Sequence, residues 1–195
     1  MADKQEFIRQ MVEAIKQQPD FHGLFPSVMI AQGALESGWG ESGLARNYNN
    51  YFGVKASATK FSSAWDPKVD RSVNLRTSEF LDGGWNNDYR DNFRVYRSMA
   101  DSLRDRNAML SRAPRYAAAL KAATPDDQAR LMWEAGYATD PDYVGKIVSI
   151  INANGLRQYD KVWSVKKKWL TATGILVVTI VLAVTVWIIV KRTKG

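Results

Sequence analysis

The chain is 195 residues long, 46% hydrophobic and 24% charged, which allows one domain of ordinary size with an appendage. Its net charge of +7 sits at one end: residues 1–160 carry 20 Lys and Arg against 20 Asp and Glu, and the other seven cations all fall from Lys161 onward, so lipid headgroups rather than nucleic acid are the expected partner. With no cysteine and His22 as the sole histidine, disulfides, Cys nucleophiles, two-histidine zinc sites and HExxH peptidases are excluded, and no metal or cofactor is expected.

Residues 1–16 read as an amphipathic helix, with Phe7, Ile8, Met11, Val12 and Ile15 at helical spacing and Asp3 and Glu6 as a capping pair. They do not read as a signal peptide. The helix stops before Pro19, and His22 falls in a loop or at a helix start. Pro26 and Ser27 open a second helix whose Met29, Ile30 and Leu35 lead to Glu36; Ser37 to Gly43, with three glycines in seven residues, cannot continue it. Glu36 is therefore expected at a helix C-terminal end.

Between Val69 and Leu81, alternation at Val73, Leu75 and Thr77 predicts short strands, with Asp82-Gly83-Gly84 as turn residues, so a small hairpin is read here. Ser98 with Asp101 opens a helix through Met109, Thr124-Pro125 with Asp127 opens another, and Asp140-Pro141 opens a third that closes at Gly155. From Leu170 to Val190 there are 21 residues without a charge, and about 20 apolar residues span a bilayer core. Trp163 and Trp169 stand at one boundary and Trp187 near the other, with Lys161, Lys166, Lys167 and Lys168 before the span and Lys191, Arg192 and Lys194 after it. A single transmembrane helix is predicted, and the near-balanced cations leave its orientation open.

A carboxyl at a helix C-terminus faces the negative pole of the dipole, and beside Trp39 it also loses solvent; both favour the protonated form that a general acid needs. Glycoside hydrolysis asks for such an acid, together with a second carboxylate or the substrate's own N-acetyl group to meet the oxocarbenium charge. Taken alone, the pattern also fits a solvent-exposed glutamate at a helix end.

The residues around Glu36 carry a resemblance. The stretches Ala31-Gln32-Gly33-Ala34-Leu35-Glu36-Ser37-Gly38-Trp39-Gly40, Asn49-Asn50-Tyr51-Phe52-Gly53-Val54-Lys55, Thr77-Ser78-Glu79-Phe80, Phe93-Arg94-Val95-Tyr96 with Ser98, Ser102 and Leu103, and Ala135-Gly136-Tyr137-Ala138-Thr139-Asp140-Pro141-Asp142-Tyr143 follow one another in the order of the glucosaminidase family of peptidoglycan hydrolases (glycoside hydrolase family 73). The likeness is strongest to the domain of the flagellar rod-associated enzyme and covers nearly all of residues 1–160. It implies an α+β, mainly α, lysozyme-like domain with a small β-hairpin insertion, here followed by the single transmembrane helix. It also implies cleavage of the β-1,4 bond between N-acetylglucosamine and N-acetylmuramic acid in peptidoglycan glycan strands.

By the same resemblance Glu36 matches the general acid, Glu79 the second carboxylate, with Asp82 near Glu79 and Glu41 near Glu36 as other carboxylates, and Tyr137 the active-site tyrosine. Tyr137 would orient the N-acetyl group or a water, or else pack at a helix boundary. Trp39, Asn50, Phe52 and Tyr96 would line the sugar groove, since aromatic faces pack on pyranose rings; Phe52 and Trp39 equally fit the core. The separation of the two carboxylates, which sequence does not give, would decide between a retaining and an inverting course.

The expected organisation is a glucosaminidase-like catalytic domain over 1–160, a basic juxtamembrane linker over 161–169, the span over 170–190 and a basic tail over 191–195. Two settings reconcile an anchored chain with a wall substrate: a bacteriophage lysis or virion-membrane protein, with virion or envelope assembly partners, or a bacterial inner-membrane protein with its domain outside. The alternative function is a non-catalytic wall-binding or structural module that keeps the groove.

Overall fold

The structure, a computed structural model, describes residues 3–57, 71–81 and 84–161, with the backbone alone over 77–81 and 84–89. It divides into residues 1–157 and 158–195; of the second unit only 158–161 are described, in helical conformation. Among the described residues no helix is long and apolar enough to cross a membrane. The expected span 170–190, the tail 191–195 and the linker beyond Lys161 lie outside the described residues.

Helix α1 (Lys4–Lys16) begins where Asp3 accepts hydrogen bonds from the backbone N–H groups of Gln5 and Glu6 at 3.0 and 3.1 Å. Glu6 does not return the capping bond; its carboxylate is taken by Arg9 and Gln10 one turn on. The face carrying Phe7, Ile8, Met11, Ala14 and Ile15 is buried. In the loop that follows, His22 (φ 53°) donates its backbone N–H to Asp20, and Gly23 (φ 85°) approaches Leu120 so closely that a Cβ there would lie 2.1 Å from its carbonyl oxygen. Only glycine fits.

Helix α2 (Pro26–Ser37) is the centre of the fold. Residues 26 to 34 are all buried, because α1, helix α5 (Pro125–Glu134) and helix α6 (Tyr143–Ala153) pack around it. Ala31, Gly33 and Ala34 keep its surface narrow enough for that: a Cβ at Gly33 would stand 2.6 Å from the end of Met11. Phe25 at its N-cap has no side-chain oxygen to offer. Gln128 of α5 holds the entry instead, accepting from the Phe25 N–H and donating to the carbonyls of Gly23 and Ala119.

A short helix α3 (Gly43–Tyr48), capped by Ser42, was not foreseen in the sequence, where the glycines around it read only as helix breakers. The hairpin is longer than expected: β1 (Ser72–Leu81) pairs antiparallel with β2 (Gly84–Arg94), in register from Ser72 opposite Arg94 to Leu81 opposite Gly84, with a bulge between Thr77 and Glu79. Arg94 and Ala56 N–H groups, bonded to the carbonyls of Val54 and Asn92, hold its base to the segment after α3.

Helix α4 (Met99–Arg112) opens with the predicted box, in which Ser98 accepts from the Asp101 N–H and donates to its carboxylate. It runs three residues past the predicted end. Helix α6 starts at Tyr143 rather than at Asp140-Pro141, because Asp140 is spent on a turn, accepting from the Asp142 N–H and from Lys146.

The buried face of α4 is unusually polar. Asp105 lies 2.5 Å from Arg94 at the end of β2, both with 0% exposed side chains, and the Tyr96 hydroxyl donates to the same carboxylate at 2.6 Å. This triad joins hairpin to helices. Removing one member of a buried pair strands the other, at about 3–5 kcal/mol. Asp105→Ala is therefore expected to destabilise the protein by about that much, and Tyr96→Phe by about 1–2 kcal/mol; urea unfolding followed by circular dichroism measures both, and equal losses would refute the ranking.

Candidate active site

Glu36 occupies the last turn of α2, where the helix leaves the core. The exit is built from three consecutive left-handed residues, Gly38 (φ 57°), Trp39 (φ 61°) and Gly40 (φ 82°). Two of them are glycines, and the strain of the third is held by bonds: Trp39 N–H to the Ala34 carbonyl at 2.8 Å, and Gly40 N–H to the Ser37 hydroxyl, which itself donates to Gly33. The Trp39 ring lies against α1, edge-on to Phe7 at 5.8 Å with the Lys4 ammonium 5.1 Å from its centroid.

The Glu36 side chain is open to solvent, yet desolvation by the protein around it raises its carboxyl pKa, opposed in part by the charge of Arg106. An open depression of about 480 Å³ begins at the adjacent Leu35 and runs along the start of α6 past Pro141, Asp142, Gly145 and Lys146.

Around Glu36 the structure gathers residues from three other elements. Tyr137, in the turn after α5, carries a phenol pushed up to about 12, first by burial and with Glu36 adding to the effect while Arg106 opposes it. Its ring lies 5.8 Å from that of Tyr143 and 6.3 Å from that of Tyr116, so the three rings pack together. Gln32, one turn before Glu36 on the same helix, donates to the Tyr143 hydroxyl at 2.7 Å. Burial, with the nearby Tyr137 and Glu36, raises the Tyr143 phenol well above its ordinary range. Both phenols stay protonated at neutral pH and so keep an O–H to donate.

Glu36 lies near enough to Tyr137 for its charge to raise the phenol further. Glu79 has its backbone in β1, opposite Asn86 just after the bulge, and its side chain lies outside the described residues, as does the whole of Asp82. Glu41 is paired with Arg46 on the surface. The remaining expected groove residues lie deeper. Asn50 is 1% exposed, with its amide donating to the carbonyls of Val54 and Arg94 and accepting from the Val54 N–H; Tyr96 is spent on Asp105, and Phe52 is buried with the Arg106 guanidinium 5.2 Å above its ring.

Sequence reasoning missed Gln32, Tyr116, Tyr143 and Arg106. Two of them carried a signal: Gln32 precedes Glu36 by four residues, hence on the same helix face, and Tyr143 closes the motif that contains Tyr137. Arg106 gave none.

Residues 12–156 match the Glucosaminidase family, described as mannosyl-glycoprotein endo-beta-N-acetylglucosaminidase. Peptidoglycan hydrolase FlgJ of Salmonella typhimurium is 36% identical over 153 residues, 76% of this chain and 46% of that protein. A probable N-acetylmuramidase of Lactococcus lactis subsp. lactis is 36% identical over 161 residues, 79% of this chain and 34% of that protein. The chain spans about half the length of such curated relatives, or less. Among solved structures, the catalytic domain of the autolysin Auto from Listeria monocytogenes superposes with a TM-score of 0.63 at 33% identity, covering 80% of this chain and 87% of that one.

A carboxyl whose pKa is raised in the folded protein contributes stability that is complete below its unfolded pKa and is lost as pH rises through the folded one. Glu36→Gln removes that loss. At neutral pH the variant is expected to melt above the parent by no more than a few degrees, because the open side of Glu36 is screened by water. The difference should vanish below about pH 4, where the carboxyl is protonated in both states; thermal melts across pH check it, and a variant less stable at neutral pH would contradict it.

Proposed function

The chain belongs to the glucosaminidase family of glycoside hydrolases, and on that premise we propose that it cleaves the β-1,4 bond between N-acetylglucosamine and N-acetylmuramic acid in peptidoglycan strands. The observation that supports this reading is Glu36, a carboxyl exposed at the last turn of α2 whose surroundings favour its protonated form, near the Tyr137 and Tyr143 phenols. In the reaction Glu36 gives its proton to the glycosidic oxygen as the bond to the anomeric carbon breaks. Glu79 or the substrate's own N-acetyl group meets the positive charge left on the sugar. Tyr137 donates to the N-acetyl group or to the attacking water.

Trp39, half-exposed at the end of α2, supports a place on the rim of the sugar groove. Asn50, Phe52 and Tyr96 act from behind it, because each is buried and the polar atoms of Asn50 and Tyr96 are already used. The relatives differ in the linkage their names imply, a glucosaminidase family against an N-acetylmuramidase. We assign the glucosaminidase bond; identifying the sugar at the new reducing end decides it.

The uncharged run 170–190, flanked by cations, supports anchoring to a lipid membrane. The domain then meets the wall either as a phage lysis or virion-membrane protein or from a bacterial inner membrane. Protease digestion of the domain in intact spheroplasts and in virions separates the two.

Full-length protein is expected to release reducing ends from purified peptidoglycan, with Glu36→Gln slower by about 10²–10⁴-fold and Tyr137→Phe slower by about tenfold. The rate should fall as pH rises through the Glu36 pKa, which burial raises from its ordinary value. Undiminished release by Glu36→Gln would sink the assignment; saccharide binding with no release by the parent would favour the non-catalytic module.

A further inference from the structure

Helices α2 and α6 each contain one glycine, and only the first is required by packing. A Cβ on Gly33 of α2 would stand 2.6 Å from the end of Met11. A Cβ on Gly145 of α6 would meet nothing within 4 Å, and its backbone is ordinary helix, so neither a close approach nor a left-handed turn asks for glycine there. Alanine would form the helix better. Gly145 is exposed and lines the depression of about 480 Å³ that begins at Leu35. What its missing side chain does is leave that depression open.

A volume of this size falls within the range of about 300–1,000 Å³ typical of small-molecule sites, and the lining says what it suits. Leu35, Pro141 and Ile150 are apolar, Ser149 offers a hydroxyl, and Asp142 and Lys146 bring charges of opposite sign, with Lys146 shared with Asp140. Among the described residues no aromatic ring lines it, whereas pyranose rings pack on aromatic faces. Methyl groups, amides and charges of both signs are the chemistry of a short peptide. Peptidoglycan carries such a peptide, on the lactyl ether at O3 of its N-acetylmuramic acid. In glucosaminidase cleavage the oxygen that leaves is O4 of that same sugar, so the arm springs from the carbon next to the one whose oxygen Glu36 protonates. Leu35, where the depression begins, is the residue next to Glu36.

We propose that this depression is the binding site for the peptide arm of N-acetylmuramic acid, and that Gly145 is the specificity-determining residue that keeps it open. The proposal rests on the glucosaminidase reading. Apolar side groups of the arm lie against Leu35 and Ile150, and its charged groups meet Asp142 and Lys146. The enzyme then prefers strands that keep their peptides over bare glycan.

The test fills the depression. Gly145→Leu places a branched apolar side chain in it while improving helix propensity, and circular dichroism checks folding. Reducing-end release by the full-length protein is measured on soluble, uncross-linked strands with their peptides and on the same strands after an amidase has removed them. On peptide-bearing strands Gly145→Leu is expected to raise KM about tenfold with kcat within about twofold, the mark of lost uniform binding. On bare strands the parent's own KM should be higher, and the difference between variant and parent should shrink to less than about twofold. An unmoved KM on peptide-bearing strands overturns the proposal, and so does an equal rise on both substrates, which would put a sugar in the depression. If Gly145→Leu does not fold, Ser149→Leu, one turn along the same lining, is read in the same way. Parent turnover and its loss in Glu36→Gln test the hydrolase reading separately. Should the parent release no reducing ends, the same strands titrated calorimetrically into parent and Gly145→Leu decide on Kd: about tenfold weaker binding confined to peptide-bearing strands supports the site, and any other pattern overturns it.

Discussion

Helix α2 carries its ionisable group only at the place where it comes out of the core, and that place is fixed by a single break. Helix α2 is enclosed from Pro26 to Ala34, where Ser27 and Gln32 are its buried polar residues, and its one ionisable group falls in its last turn. The left-handed run from Gly38 to Gly40 ends it there, clamped by Ser37 and by the carbonyl of Ala34. Were the helix one turn longer, Glu36 would be flanked by more helix; one turn shorter, it would lose the negative pole that favours its protonated form. The core and the acid are thus set by the same residues.

The second level of order is electrostatic and lies on α4. Asp105 and Arg106 are adjacent in sequence and point to different tasks: the first closes a neutral triad that ties the hairpin base to the helices, the second faces the rings of Phe52 and Tyr137. Adjacent helical positions are about 100° apart around the axis, so a single turn can serve two neighbours at once. Asn50 shows the same economy, holding Val54 and the last residue of β2 together with one amide. Residues that resemble groove-lining groups by motif are, by contact, the frame behind it.

Most of the helical architecture was legible because its signals are local. Asp3, Ser98 and Thr124 each cap the helix that the pattern assigns to them, and the placement of Glu36 followed from glycine spacing alone. What was not legible depends on contacts distant in sequence. Helix α3 has too few residues for periodicity to show. Arg106 reads as an ordinary charge on an amphipathic helix until Phe52 and Tyr137 are brought to it. The hairpin was foreseen, but the bulge between Thr77 and Glu79 breaks the two-residue alternation counted from Val73 and Leu75, so that alternation does not carry through to Glu79.

The division of the site between elements bears on how its chemistry is tuned. Glu36 belongs to the enclosed helix α2, Tyr143 to α6 packed on it and Tyr137 to the turn after α5; Gln32, Tyr143 and Tyr137 are joined by one hydrogen bond and one ring contact. Substitutions in this half change acid strength and donor geometry through the core. Glu79 belongs to a two-stranded sheet tied to that core at its base through Val54, Asn92 and the Arg94–Asp105 pair. The hairpin can therefore vary in length or register without disturbing the packing that sets Glu36.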